Sequence, residues 1–220
     1  LGIGNFFFGY GLTYWGMQFV DSNITSILWA TLPAMIAVFA HRMLVNEKIN
    51  ASSIFSLVGS IIGTLFIFDL KGADFDPQTA KGMVVILHSI LAAAYPNVLF
   101  KREGNNLDPV AANASAMLIG ATLLLITGLI VEPWEHVVLD VVTVGATAYL
   151  AIFGSAIGFT MYFWLVKRVP IVKMSYTTFL IPILASIWGW VLLGEELSSA
   201  ALTGAVIIIL SVSMPEILRK

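Results

Sequence analysis

VPIVKMSYTTFLIPILASIWGWVLLGEEL, residues 169–197, decides how the rest of the chain is read. Between Lys173 and Glu195–Glu196 lie about twenty apolar or small uncharged residues, enough to cross a hydrocarbon layer of about 30 Å as a helix. Its polar content is ordered: hydroxyls early (Ser175, Tyr176, Thr177, Thr178), a proline in the middle (Pro182) and a carboxylate pair at the exit. The same grammar stands 149 positions upstream (175 − 26), where Ser26 matches Ser175, Pro33 matches Pro182 and Glu47 closes the segment. The preceding residues agree at that offset: Gly9 with Gly158, Trp15 with Trp164, Val20 with Val169. A large part of the chain is written twice.

Charged residues make up 11% of the 220 and hydrophobic ones 59%, with a mean hydropathy of +0.93. Soluble domains carry roughly 25% charge, so one aqueous-phase core could not hide this much apolar surface and the solvent must be lipid. The formal charge of −2 comes with no basic patch beyond loop pairs, which argues against a nucleic-acid partner. With no cysteine, disulfides and thiol metal sites are excluded.

Eight apolar segments can be drawn, at about 3–20, 23–45, 51–70, 82–100, 109–131, 143–166, 171–193 and 198–214. Each has the length of a spanning helix, and in lipid the helix satisfies its own backbone groups. The alternating pattern of a membrane barrel is absent. Taken loop by loop, one side holds Arg42, Lys48, Lys101, Arg102, Lys167, Arg168, Lys173, Arg219 and Lys220, and the other only Lys71 and Lys81. Nine basic residues against two place the first side, and both ends of this chain, in the cytoplasm. Five crossings separate Ser26 from Ser175. An odd number turns the second copy upside down, giving an inverted repeat.

These features together resemble the EamA-type transporters of the drug/metabolite transporter superfamily. The resemblance is carried by residues 150–210, LAIFGSAIGFTMYFWLVKRVPIVKMSYTTFLIPILASIWGWVLLGEELSSAALTGAVIIIL. They show a small–aromatic helix, a basic turn, a serine-bearing helix with proline, a Gly-Glu exit and a final glycine-containing helix. The first copy matches more loosely, with Asn46 in place of the glycine before Glu47. The resemblance implies an all-α integral membrane protein with ten helices in two inverted five-helix repeats (5+5), of which this chain carries eight. Residues 1–70 are then the last three helices of the first repeat, 71–81 an extracytoplasmic linker and 82–220 the complete second repeat. About seventy residues with two further helices are expected before Leu1. It also implies movement of small organic solutes by alternating access.

His88 is the ionisable residue deepest in a predicted span, and such groups usually face a cavity or a partner. Its ordinary pKa of about 6.5 suits proton coupling or contact with a titratable solute; the plainer reading is a neutral ring bonded to a neighbouring helix. Paired interruptions in opposite halves point to a midplane site, so Pro33 and Pro182 are expected to set helix geometry there. The side chains before them, Ser26 and Trp29 in one copy and Ser175, Tyr176 and Phe179 in the other, are candidate solute contacts, as are Tyr10, Tyr14 and Tyr95. Serines also serve close helix packing and aromatics interface belts. Glu47, Glu195 and Glu196 are expected at helix ends, capping the helix that follows or gating against Lys or Arg across the repeats.

No nucleophile, metal cluster or paired carboxylates cooperate with these groups, so no catalytic residue, metal or cofactor is assigned and an intramembrane enzyme is disfavoured. The reading is a secondary transporter of the cytoplasmic (inner) membrane, acting on a small-molecule solute, with export the expected direction. Uptake of a sugar or amine, or a channel subunit, are the alternatives. Proton coupling and a homodimer stay open.

Overall fold

The computed structural model describes residues 1–68, 76–131, 140–193 and 199–217. Among them every regular element is helical. The described chain runs from a π-helical stretch Gly2–Gly9 (π1) into α1 (Tyr10–Gly16), α2 (Ser22–Trp29), α3 (Leu32–Met43) and α4 (Ala51–Ile67). Next come α5 (Pro77–Glu103), a 3₁₀ turn Gly104–Asn106, and α6 (Pro109–Val131). Then follow α7 (Val141–Tyr149), a second π-helical stretch Leu150–Phe159 (π2), α8 (Thr160–Val166) and α9 (Ile171–Ser175). A 3₁₀ turn Tyr176–Phe179, α10 (Leu180–Leu193) and α11 (Ser199–Ile217) complete the chain.

The duplication recurs in the backbone. Adding 149 to π1 gives 151–158, inside π2; adding it to α2 gives 171–178, covered by α9 and its 3₁₀ turn. The same shift takes α3 to 181–192, inside α10, and α4 to 200–216, inside α11. Five stretches are long and apolar enough to cross a membrane (Ile24–Met43, Pro77–Asn106, Pro109–Val131, Val141–Val166, Ile171–Trp188), and Ala51–Ile67 and Ser199–Ser213 are shorter apolar helices. This is a multi-pass, all-helical membrane fold.

Helix starts outside the apolar zone are set by short polar side chains. The Asp76, Asp108 and Asp140 carboxylates accept from the Thr79, Ala111 and Thr143 backbone N–H at 2.7, 2.9 and 2.7 Å, and Asn50 accepts from Ser53 N–H at 2.7 Å. Each satisfies one of the donors a helix start leaves open. Pro77 and Pro109 occupy first helical positions, where a missing N–H costs nothing.

Packing relies on close backbone approach. α4 lies along α11, with Gly63 and Gly204 so near each other's carbonyl oxygens that a Cβ on either would collide. π1 is wedged between α5 and α6. Pro96 lacks the N–H that would bond Ala92 O, and Gly4 comes onto that carbonyl; a Cβ there would lie 2.7 Å from the oxygen. α3 packs on α5 and α9, and α6 touches α8. The shared core holds Ile36, Ala40, Ala94, Val98, Phe163, Val166 and Ile171. α7 and π2 bury no residue.

Candidate functional site

The two prolines stand where the helices break. Ile24–Met43 is interrupted at Ala30–Thr31, and Pro33 sits in the first turn of α3. Its counterpart Pro182 follows the 3₁₀ turn Tyr176–Phe179, in the first turn of α10. Each proline restarts a helix after an irregular turn, whereas Pro96 lies inside an uninterrupted α5.

Trp29 is tied to a three-helix junction. Its indole Nε1–H donates to Thr13 Oγ1 at 3.2 Å, Thr13 donates to Gly9 O at 2.7 Å, and Ser89 Oγ lies 2.9 Å from Thr13 Oγ1. Ser26 donates to Ser22 O at 2.8 Å and Ser175 to Val172 O at 2.7 Å, each within its own turn. Phe179 is fully buried against Ala37 and Leu57, and Tyr176 joins the same cluster while its hydroxyl faces Ser53 and Ser56. Tyr10 stacks between Phe6 and Tyr14, with centroids 6.1 Å apart on both sides, and Tyr95 meets Phe39 edge-on at 5.7 Å.

His88 is exposed on α5, its Nδ1–H donating to Val84 O at 2.7 Å, on a stripe shared with Lys81, Val84, Leu91 and Tyr95. The structure therefore brings His88 and Tyr95 onto one face of one helix. Trp29 reaches α5 on its buried side, through Thr13 to Ser89, while Tyr10 stays in the Phe6–Tyr14 stack. Tyr176 and Phe179 belong to a separate cluster on α9–α10. Glu195 and Glu196 lie outside the described residues.

Of the two expectations for Glu47, a cap on the following helix or a gate across the repeats, the first is not met, since Asn50 caps α4. Glu47 Oε2 accepts from Val172 N–H at 3.3 Å, at the start of α9 and 125 positions away. The reason is reach: residues 46–50 and the start of α9 line one cavity, so the carboxylate meets an open donor of a spatial neighbour. Beside it is a cavity of about 470 Å³ walled by Asn46, Lys48, Ser52, Lys173, Tyr176 and Thr177 among others.

Several polar residues of this region carry no motif. The two lysines of α5 grip repeat-equivalent turns. Lys81 Nζ stands 4.7 Å from the Phe19 ring and 5.5 Å from the Trp15 ring at the α1–α2 turn. Lys101 Nζ donates to Val166 O at 2.6 Å and Val169 O at 2.9 Å at the α8–α9 turn. Val166 and Val169 are the offset partners of Met17 and Val20. Asn113 reaches across from α6 to Thr160 Oγ1 at 3.1 Å and to the Ser155 and Ala156 carbonyls of π2. Asn97 bonds Asn5 of π1 at 3.3 Å. The only hint in the sequence is the presence of amides inside otherwise apolar spans. Among the described residues no three of His, Cys, Asp and Glu come together to hold a metal ion.

A duplicated, all-helical membrane protein, with helices broken at matching points in both copies, is the class this geometry defines. Family comparison agrees and is more specific: residues 1–69 and 80–214 match the EamA-like transporter family, and the chain belongs to that family. It is 30% identical over 204 residues to the uncharacterized transporter YoaV of Bacillus subtilis, covering 93% of this chain and 70% of YoaV. To YvbV of the same organism, also an uncharacterized transporter, it is 24% identical, covering 93% of this chain and 66% of that protein. A Chlamydia trachomatis protein named as an S-adenosylmethionine/S-adenosylhomocysteine transporter is 24% identical over 84% of this chain and 59% of its own length. A solved crystal structure superposes with a TM-score of 0.88 over 99% of this chain and 75% of that one, at 17% identity, so the likeness there is one of fold. The protein is a membrane transporter.

Proposed function

We propose that this transporter is a secondary carrier of the cytoplasmic membrane that exports a small organic solute by alternating access. Residues 1–70 and 82–220 form two repeats of opposite orientation joined by 71–81, and both ends of the chain are cytoplasmic. The solute sits near the midplane, beside the broken helices, against the α5 face that bears His88 and Tyr95 and the Trp29 indole. The observation that carries this reading is the span of α5. Lys81 and Lys101 are about 30 Å apart along one helix, roughly the thickness of the hydrocarbon layer, and they touch turns related by the 149-residue offset. Equivalent turns at opposite ends of one spanning helix support inversion, and inversion supports a site shared between repeats.

Coupling to a proton is part of the proposal, with His88, exposed on the α5 face, as the group assigned to it. Uptake into proteoliposomes from a metabolite mixture, read by mass spectrometry, tests the function. S-adenosylmethionine and S-adenosylhomocysteine belong in that mixture because the Chlamydia trachomatis relative is named for them. Accumulation of no solute above empty vesicles, in either direction, would refute it. Once a solute is found, His88→Ala should lower its rate severalfold at pH 6 and flatten the profile between pH 5 and 8. An unchanged profile removes His88 from the mechanism.

A further inference from the structure

We infer that two charges brought to the α8–α9 turn from elsewhere in the chain have different duties: Lys101 is a fixed anchor and Glu47 a releasable latch. The inference rests on the carrier reading, since a latch has work to do only where two parts of the bundle move.

The turn, residues 167–170, closes one helix and opens the next, and so presents carbonyls on one side and N–H groups on the other. A cation suits the first end and an anion the second, and the chain supplies each from elsewhere in the sequence. Lys101 arrives from the end of α5 and makes two short bonds, 2.6 Å to Val166 O and 2.9 Å to Val169 O. Around it Phe100 and Phe163 pack edge to face at 5.0 Å, and both are buried. Two short charge-assisted bonds from a partly buried lysine beside that packed pair make a contact that is costly to open.

Glu47 makes a weaker contact. Its bond to Val172 N–H is 3.3 Å, long for an ionised acceptor. It hangs from the loop between α3 and α4, beside the 470 Å³ cavity, into which the carboxylate can swing and rehydrate. The cavity wall includes Ser52, whose Oγ is buried with no hydrogen-bond partner and can take up a group that moves in. α9 is a single short helical segment before the 3₁₀ turn, so releasing its first turn frees the stretch that leads into the break before Pro182. Glu47 is thus a positioning residue: it acts through α9 and touches no solute.

The absence of native cysteines makes the test direct. Spin labels on Val45→Cys and Ile181→Cys, both exposed, report the separation of the loop from α10 by pulsed electron resonance on the intact protein in lipid nanodiscs. Wild-type protein should show two distance populations, and Glu47→Ala should raise the longer one about fivefold, the effect of losing a helix cap. Glu47→Gln, which keeps a neutral acceptor, should fall between. Lys101→Met should instead lower the melting temperature and broaden both populations without changing their ratio, and Lys101→Arg should restore them. The latch is overturned if Glu47→Ala leaves the distribution as in wild type, and the division of duties is overturned if Lys101→Met shifts the ratio as Glu47→Ala does. Two populations that ignore Glu47 would sink the latch and leave the carrier standing, whereas one population in every variant would count against both.

Discussion

π1 and π2 occupy the same place in the duplicated sequence and live in different surroundings. π1 is enclosed: Gly2 lies against Ala116 O and Ile119, Gly4 against Ala92 O and Pro96, and Phe6 is buried over Gly120. No residue of π2 is fully buried, and the hydrogen bonds it receives from α6 come from the single amide of Asn113. The duplication therefore fixes the path of the backbone, and neighbouring helices decide what each side chain does. Widened helical turns are rare and concentrate at functional sites; finding them at matching offsets ties the irregularity to the repeat.

The largest effect should come from filling the enclosed side. A side chain on Gly120 would collide with Phe6, and its Cβ would stand 3.0 Å from Gly2 O, while a Cβ on Gly145 would meet nothing within 4 Å. Gly120→Leu is expected to cost about 2–3 kcal/mol, the range for overpacking a close contact. Gly145→Leu, near π2, should lie within about 0.5 kcal/mol of wild type. Unfolding in lipid–detergent mixtures compares them. Equal losses would mean that both stretches are packed alike and would erase the contrast.

A smaller effect separates Thr13 from its offset partner Tyr162. Thr13 joins Trp29, Gly9 and Ser89, whereas Tyr162 rests edge-on against Phe163 at 5.4 Å. Thr13→Val should cost about 1 kcal/mol and shift the Trp29 emission, while Tyr162→Phe should leave tryptophan fluorescence alone. If both spectra stay fixed, Trp29 is positioned by packing and not by the hydroxyl.

Much of the backbone was legible because lipid imposes simple rules. Apolar runs marked the chain as helical and membrane-spanning, and the matched Pro33 and Pro182 lie beside breaks at equivalent offsets. Neighbours were not legible. Thr13 and Ser89 are 76 positions apart, and Lys101 and Val166 are 65 apart. Lys101 reads in sequence as one more positive charge at a helix end, and Glu47 as a cap on the helix that follows or one side of a gate. Phe179 reads as well as a solute wall as it does a core residue. In a helix apolar on all sides, hydrophobic periodicity does not separate the face that meets protein from the face that meets lipid, and only packing shows that Phe179 is fully enclosed.

The weakest effect concerns the solvated helix starts, where the two halves of the chain again differ. Asp76 and Asp140 are fully exposed, and each carboxyl is held below its ordinary range by hydrogen bonds, from the Thr79 backbone first at Asp76 and from the Thr143 side chain first at Asp140. A carboxyl whose value is lowered by folding contributes stability above its unfolded value, near 4, and loses it as pH falls through the lowered one. The start of α4 is capped by Asn50, which does not titrate. Amide exchange in the first turns of α5 and α7 should therefore accelerate, relative to α4, as pH is lowered from 5 to 3, after correction for intrinsic rates. Asp76→Asn should bring α5 into line with α4 and leave α7 acid-sensitive. If all three first turns respond alike, acid loosens the bundle through some other group, and these two caps are no more than local punctuation.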